Sequence, residues 1–191
     1  MAVNLNNTFI LASLAAASLL LSACQYRFGR GELSEQYSTI SVPFIEGDRE
    51  GDLTCEVIRQ IGTSGAFRYE TSGSDLILSV KIIDYDNEDI GFRYDRKEHG
   101  ELRKVIIPTE TRLKTTAEVI LRDAGTGQVI RGPSVISASI DFDHDFYFTR
   151  HEENVFSLGQ LNDIDAAEDA VMHPLYKVLA GKIVDYVKNS W

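Results

Sequence analysis

A period of two constrains this chain more than any other feature. Leu76, Leu78, Val80 and Ile82 alternate with Ile77, Ser79, Lys81 and Ile83, and Leu113, Thr115, Ala117, Val119 and Leu121 repeat the pattern. Successive strand side chains point to opposite faces, so each segment predicts a strand with one buried face. In the first of them the second face is itself half apolar. Asp123-Ala124-Gly125-Thr126-Gly127 follows the second strand directly. Its two glycines take positive φ without steric penalty, which predicts a hairpin turn. Val129 and Ile130 begin the return strand, which resumes at Val135 and runs to about Phe142. Gly132-Pro133 interrupts it, and because proline has no amide for the ladder, a bulge or an edge strand is expected there.

The remaining elements follow from the same reading. Thr39 to Phe44 alternates and stops at Pro43, predicting a strand, and Glu46 to Asp52 is a charged turn. Leu53, Val57, Ile58 and Ile61 recur at helical spacing, giving a helix from about Asp52 to Gly62 closed by Gly65. Phe67 and Tyr69 add a short extended piece. Ile164, Ala167, Val171, Leu175, Val178, Leu179, Ile183 and Tyr186 trace one face of a second helix. Pro174 lies inside that pattern, so a kink or a restart is expected there. The order β-α-β-β-β-α predicts an α+β fold, with two helices packed on one face of a four-stranded, mostly antiparallel sheet.

The N-terminus reads differently. From Phe9 to Leu21 the chain is apolar and uncharged. About 13 residues span roughly 20 Å as a helix, short of the ~30 Å hydrocarbon layer, so this is no membrane span. Length and the small residues that follow fit a secretory signal. Leu21-Ser22-Ala23-Cys24 matches the bacterial lipobox, in which the cysteine thiolate takes the lipid and becomes the first mature residue. The competing reading is an ordinary signal with a chance cysteine, and the leader's lack of Lys and Arg counts against both. Residues 1–23 are therefore expected to be a lipoprotein signal peptide, 24–37 a lipidated tether and 38–191 a single domain. Gln25, rather than Asp, after the cysteine points to the outer membrane.

Charge narrows the partners. The net −10 belongs entirely to residues 24–191, because the first 23 carry no Asp, Glu, Lys or Arg. Nucleic acid, which requires a basic surface, is excluded as a partner. With Cys24 committed to lipid, Cys55 has no intrachain partner and reads as a small buried thiol beside an apolar helical stripe.

Asp84 to Glu110 is a long polar excursion, either a functional connection or an extension of the hairpin. Arg93, Arg96, Lys97, Arg103 and Lys104, with Arg112 and Lys114 beyond, are candidate ligands for phosphate groups of a lipid. Asp95, Glu98, Glu101 and Glu110 are interspersed, and a solvated mixed-charge face is the competing reading. Asp141-Phe142-Asp143-His144-Asp145 has the acidic spacing of a calcium loop but lacks its glycine and its distal glutamate. It reads as the solvated end of a strand with Phe142 inward, and no metal site is assigned. His99, His144, His151 and His173 are scattered, and neither a nucleophile elbow nor a phosphate loop is present. The chain reads as non-enzymatic, with no catalytic residues and no cofactor. Phe142, Phe146, Tyr147, Phe148 and Phe156 form either a partner-binding ribbon or a cover for the sheet.

Several short patterns in order resemble one family. Cys24-Gln25-Tyr26-Arg27-Phe28-Gly29 begins the series, followed by Ile40-Ser41-Val42-Pro43-Phe44-Ile45-Glu46 and by Leu53-Thr54-Cys55-Glu56-Val57-Ile58. Ser74-Asp75-Leu76-Ile77-Leu78-Ser79-Val80-Lys81-Ile82 and the turn Asp123 to Val129 continue it, and the C-terminal helix ends in an I-V-x-x-V pattern ahead of Trp191. Over some 160 residues this order resembles the LptE family of outer-membrane lipopolysaccharide-assembly lipoproteins. Ser74 and Pro174 depart from its pattern, and the acidity argues more against direct lipopolysaccharide binding than against a structural role.

The resemblance implies a plug and assembly partner for an LptD-type outer-membrane β-barrel, lipid-anchored on the periplasmic side, that helps deliver lipopolysaccharide, which is itself a candidate ligand. Two other classes compete. One is a lipoprotein activator of a periplasmic peptidoglycan-building enzyme, disfavoured by the short tether. The other is a metal-dependent hydrolase built on Asp141, Asp143, His144 and Asp145.

Overall fold

The computed structural model describes residues 32–96, 102–144 and 164–189. In chain order they form α1 (Glu32–Gln36), β1 (Thr39–Ser41), α2 (Asp52–Ser64), β2 (Arg68–Tyr69), β3 (Leu76–Arg96), β4 (Leu102–Asp123), β5 (Val129–Asp143) and α3 (Ile164–Lys188). The sheet order is β2-β1-β3-β4-β5. The α+β class holds, but the sheet has five strands rather than four and three helices rather than two. It is also mixed, because β1 pairs in parallel with both β2 and β3. The physical reason lies in the connections. A helix between two strands is a crossover, and a crossover returns the chain parallel to where it began. β2 has two residues, too few for periodicity to reveal. Helix α1 lies within the segment read as tether, and its Leu33 is buried in the core.

The polar excursion is the hairpin's own extension. β3 has 21 residues and β4 has 22, and they pair from Leu76↔Asp123 out to Arg96↔Leu102. The register slips between Ile82 and Asp84, which are opposite Ala117 and Thr116. This bulge at Ile83 reverses the strand's parity. Tyr85, Asn87 and Asp89 thereby face the helices, while Asp84, Asp86 and Glu88 face the other way.

One face of the sheet carries the core. Leu76, Leu78, Leu113, Ala117, Val119 and Leu121 are fully buried there against Leu53, Val57 and Ile61 of α2 and Leu175, Leu179 and Ile183 of α3. Gly51 and Gly65, both left-handed, bound α2. Asp48 takes the place of an N-cap side chain: its carboxylate accepts from the Thr54 amide and hydroxyl at 2.7 Å each and from the Gly51 amide at 3.2 Å. Cys55 is exposed, not buried as the sequence suggested. It stands two residues from both Leu53 and Val57, roughly 200° around the helix from the buried stripe. α3 runs through Pro174 without restarting. Pro174 and Ala170 are both exposed, so the carbonyl that proline leaves without its usual donor can take water.

Two details fix the strand ends. The Asp75 carboxylate accepts from the amides of Ser38 and Thr39 at 2.9 Å and from the Ser38 hydroxyl at 3.0 Å, clamping β1 to the start of β3. These donors hold its pKa down at about 2. Among the described residues β5 pairs only with β4, at the edge of the sheet, and its register shifts opposite Val119 to Leu121. Gly132 sits there at φ +92, where an added Cβ would lie 2.4 Å from the Val119 carbonyl oxygen.

Candidate docking surface

The face away from the helices is a ladder of charges. Lys114 stands opposite Asp86, and Arg112 opposite both Glu88 and Asp141. Arg112 donates from Nε and Nη2 to the two Asp141 oxygens at 2.7 and 2.8 Å. The guanidinium hydrogen-bonded to Asp141 lowers that carboxyl's pKa, and Asp141 raises that of Arg112. Arg112 and Lys114 thus lie on the solvated mixed-charge face that was the competing reading for the basic patch.

The other predicted cations divide. Arg93 stands opposite Ile107 and is half-buried, whereas Lys104 is exposed. Arg96 closes β3 opposite Leu102. The side chains of Arg96 and Arg103, and all of Lys97, lie outside the described residues. So do His99, Asp145, Phe146, Tyr147, Phe148, His151 and Phe156.

Past Asn87, whose amide donates to Glu168 at the start of α3, β3 continues for about nine residues, roughly 30 Å at the usual rise. This outer hairpin is apolar where surfaces ordinarily are not. Phe92 is 58% exposed, Tyr94 61%, Val105 54% and Ile106 58%. Tyr94 is opposite Ile106, and Phe92 is opposite Pro108. The register slips again between Asp89 and Gly91 and between Gly91 and Phe92, which bulges β3 at Ile90 and β4 at Thr109 and reverses the parity of both strands. Phe92, Tyr94, Ile106 and Pro108 therefore share the helix-side face, opposite the charged ladder, and give the hairpin an aromatic end. Sequence reading missed this cluster because it was taken for a polar connection; Phe92, Tyr94 and Ile106 at alternating positions were the available signal.

Behind the ladder the hairpin is held by buried polar contacts. The Thr111 hydroxyl donates to Asp89 Oδ1 at 2.9 Å, and its oxygen lies 2.9 Å from His144 Nε2. The His144 amide donates to the Thr109 carbonyl, and its ring tilts against Phe142. Asp141 and Asp143 are solvated and Phe142 is buried, as the sequence indicated, but His144 is buried as well. The reason is the Thr109 and Thr111 contacts, which carry the ladder one residue past β5. With Asp141 paired to Arg112 and His144 turned inward, these residues do not converge on a metal. Among the described residues, no group of three or more His, Cys, Asp and Glu is placed to hold one.

The described residues thus form a helix-backed mixed sheet with a charged open face and a long hairpin that ends in exposed apolar and aromatic groups. Residues 37–187 match the LptE lipopolysaccharide-assembly family, and the chain belongs to that family. It is thereby placed among lipopolysaccharide-assembly lipoproteins, which does not favour the peptidoglycan-activator reading. Among solved structures, it is similar to a minor lipoprotein of Acinetobacter baumannii at 14% identity, covering 78% of this chain and 90% of that one with a TM-score of 0.48. The rare lipoprotein B of Shewanella oneidensis matches at 12% identity, over 78% and 93% of the two chains, also at 0.48. A lipoprotein B of Nitrosomonas europaea matches at 16% identity over 79% of each chain, at 0.41. Comparison with curated proteins gives no match.

Proposed function

We propose that this protein is a non-enzymatic outer-membrane lipoprotein, anchored through Cys24 on the periplasmic side, that docks in and plugs an LptD-type β-barrel during lipopolysaccharide assembly. The observation that carries the reading is the outer hairpin, with Phe92, Tyr94 and Ile106 exposed at its end on one face and a ladder of charges on the other. Large outer-membrane barrels have polar interiors that are often plugged, and a charged ladder suits such a lumen. The aromatic end supplies the buried anchors that dominate most interfaces. A lipid anchor beside the barrel raises the effective concentration for docking. Arg93, Arg96, Lys97, Arg103 and Lys104 are the candidate contacts to lipid phosphates.

The test is a pull-down through a C-terminal tag from detergent-solubilised membranes. Wild-type protein should retain one large β-barrel. The combined change of Phe92, Tyr94 and Ile106 to Ser should lose it. Changing Arg96, Lys97, Arg103 and Lys104 to Ser should leave it largely intact while reducing any lipopolysaccharide binding by the isolated protein. Retention by the aromatic variant, with loss in the basic one, would reverse the two assignments.

A further inference from the structure

On the helix side, away from the hairpin's end, a cleft of about 610 Å³ opens between the β1–α2 loop, the bulge of β3 and the N-terminal half of α3. Its size falls in the usual range for binding sites. Ile82, Tyr85, Met172 and Tyr176 provide an apolar and aromatic lining. Tyr176 is nearly buried, and the Tyr85 hydroxyl contacts the Met172 sulfur. Glu50, Asp52 and Asp169 also line it. Among the described residues, none of these three carboxylates makes a hydrogen bond or an ion pair. Arg49 and His173 are the basic groups in the lining. Asp48 lines the cleft too, but its oxygens are engaged by the start of α2.

Both phenols register this environment. Burial raises the Tyr176 pKa, with Asp48, Asp52 and Glu50 adding to the shift. Burial likewise raises that of Tyr85, reinforced by Glu168, Tyr176 and Asp169. The rings therefore remain neutral, and the surrounding field is negative.

We propose that this cleft receives a lysine or arginine side chain from a basic segment of a partner polypeptide. The requirement is a cation on an apolar stem. The stem packs on Met172 and the tyrosine rings, and the charged head meets Glu50, Asp52 and Asp169. Three uncompensated carboxylates against one arginine give the charge complementarity that selects and orients such a partner. An anionic lipid is repelled by the same field. The cleft also opens beside Ile82 and Tyr85, at the opposite end of the core from Ser38 and Asp75 where the chain enters the sheet. A polypeptide is accordingly favoured over the headgroup of a lipid next to the anchor. This inference does not rest on barrel docking.

Met172 supplies the readout, since the chain has two methionines and the other is Met1. The full chain, labelled with ¹³C at the methionine methyls, would be titrated with acetylated pentalysine amide. The Met172 resonance should shift saturably, and the combined change Glu50→Gln, Asp52→Asn and Asp169→Asn should weaken the apparent Kd about tenfold, as expected for three partly exposed charges. Raising salt to about 0.5 M should weaken it as well. No saturable shift, or an unchanged Kd in the triple variant, overturns the proposal. A stronger response to phosphoethanolamine than to pentalysine also overturns it and assigns the cleft to a lipid headgroup. If circular dichroism shows the triple variant unfolded, Asp169→Asn alone decides. Asp169 is exposed on α3, and that change should weaken binding about twofold; an unchanged Kd refutes the inference.

Discussion

Truncating Leu78 tests the one-sided core directly. Its side chain is fully buried on the helix face, directly opposite Leu121, which is also fully buried. Leu78→Ala removes three methylene equivalents, about 2.4 kcal/mol of transfer free energy at ~0.8 kcal/mol each. A central strand roofed by two helices collapses poorly into the void, and the residual cavity adds about 1 kcal/mol, for a total near 3.5 kcal/mol. With a urea m-value of about 2 kcal/mol/M, the unfolding midpoint should fall by roughly 1.7 M. Ile77 is the control. It is half-buried on the opposite face, so Ile77→Ala forfeits only part of the transfer term and leaves no enclosed void, costing about 1 kcal/mol. Urea melts followed by circular dichroism measure both. Equal losses would mean that the second face is covered as thoroughly as the first, and the assignment of an open, charged face would be wrong.

Three further outcomes follow from particular residues. Gly132→Ala should cost at least about 2 kcal/mol in the same melts, because a Cβ would lie 2.4 Å from a backbone oxygen at a positive φ; an unchanged midpoint refutes the close approach. Asp75 has its pKa lowered to about 2 by the Ser38 and Thr39 donors, so its contribution is complete above the ordinary value near 3.8 and fades as pH falls from about 4 through 2. Asp75→Asn should therefore lower stability at neutral pH and flatten the acid limb of stability against pH; a limb identical to wild type would refute the clamp. Cys24→Ser should block acylation and signal cleavage, as read from the mass of the membrane-extracted protein, and normally processed, membrane-bound variant would refute the anchor.

The local pattern decided much of this protein. Alternation at Leu76–Ile82 and Leu113–Leu121, helical spacing at Leu53–Ile61 and the two glycines after Asp123 each act over a few residues, where side-chain direction is fixed by backbone period. They gave the class, three long strands and two of the helices. The parallel pairing of β1 depended on distant partners, and the two-residue β2 has no period to read. The excursion became a hairpin because β4 supplied its register. The bulge at Ile83 turned Tyr85 toward α3, and only that reversal joins Tyr85 to Tyr176 and Met172 across some ninety residues. Cys55 and His144 went the other way from expectation for related reasons, a helix phase in one case and contacts to Thr109 and Thr111 in the other. Residue type and spacing set what each segment can bury; tertiary contact sets which polar and aromatic groups end up facing one another, because that depends on register, and register is chosen by the whole sheet.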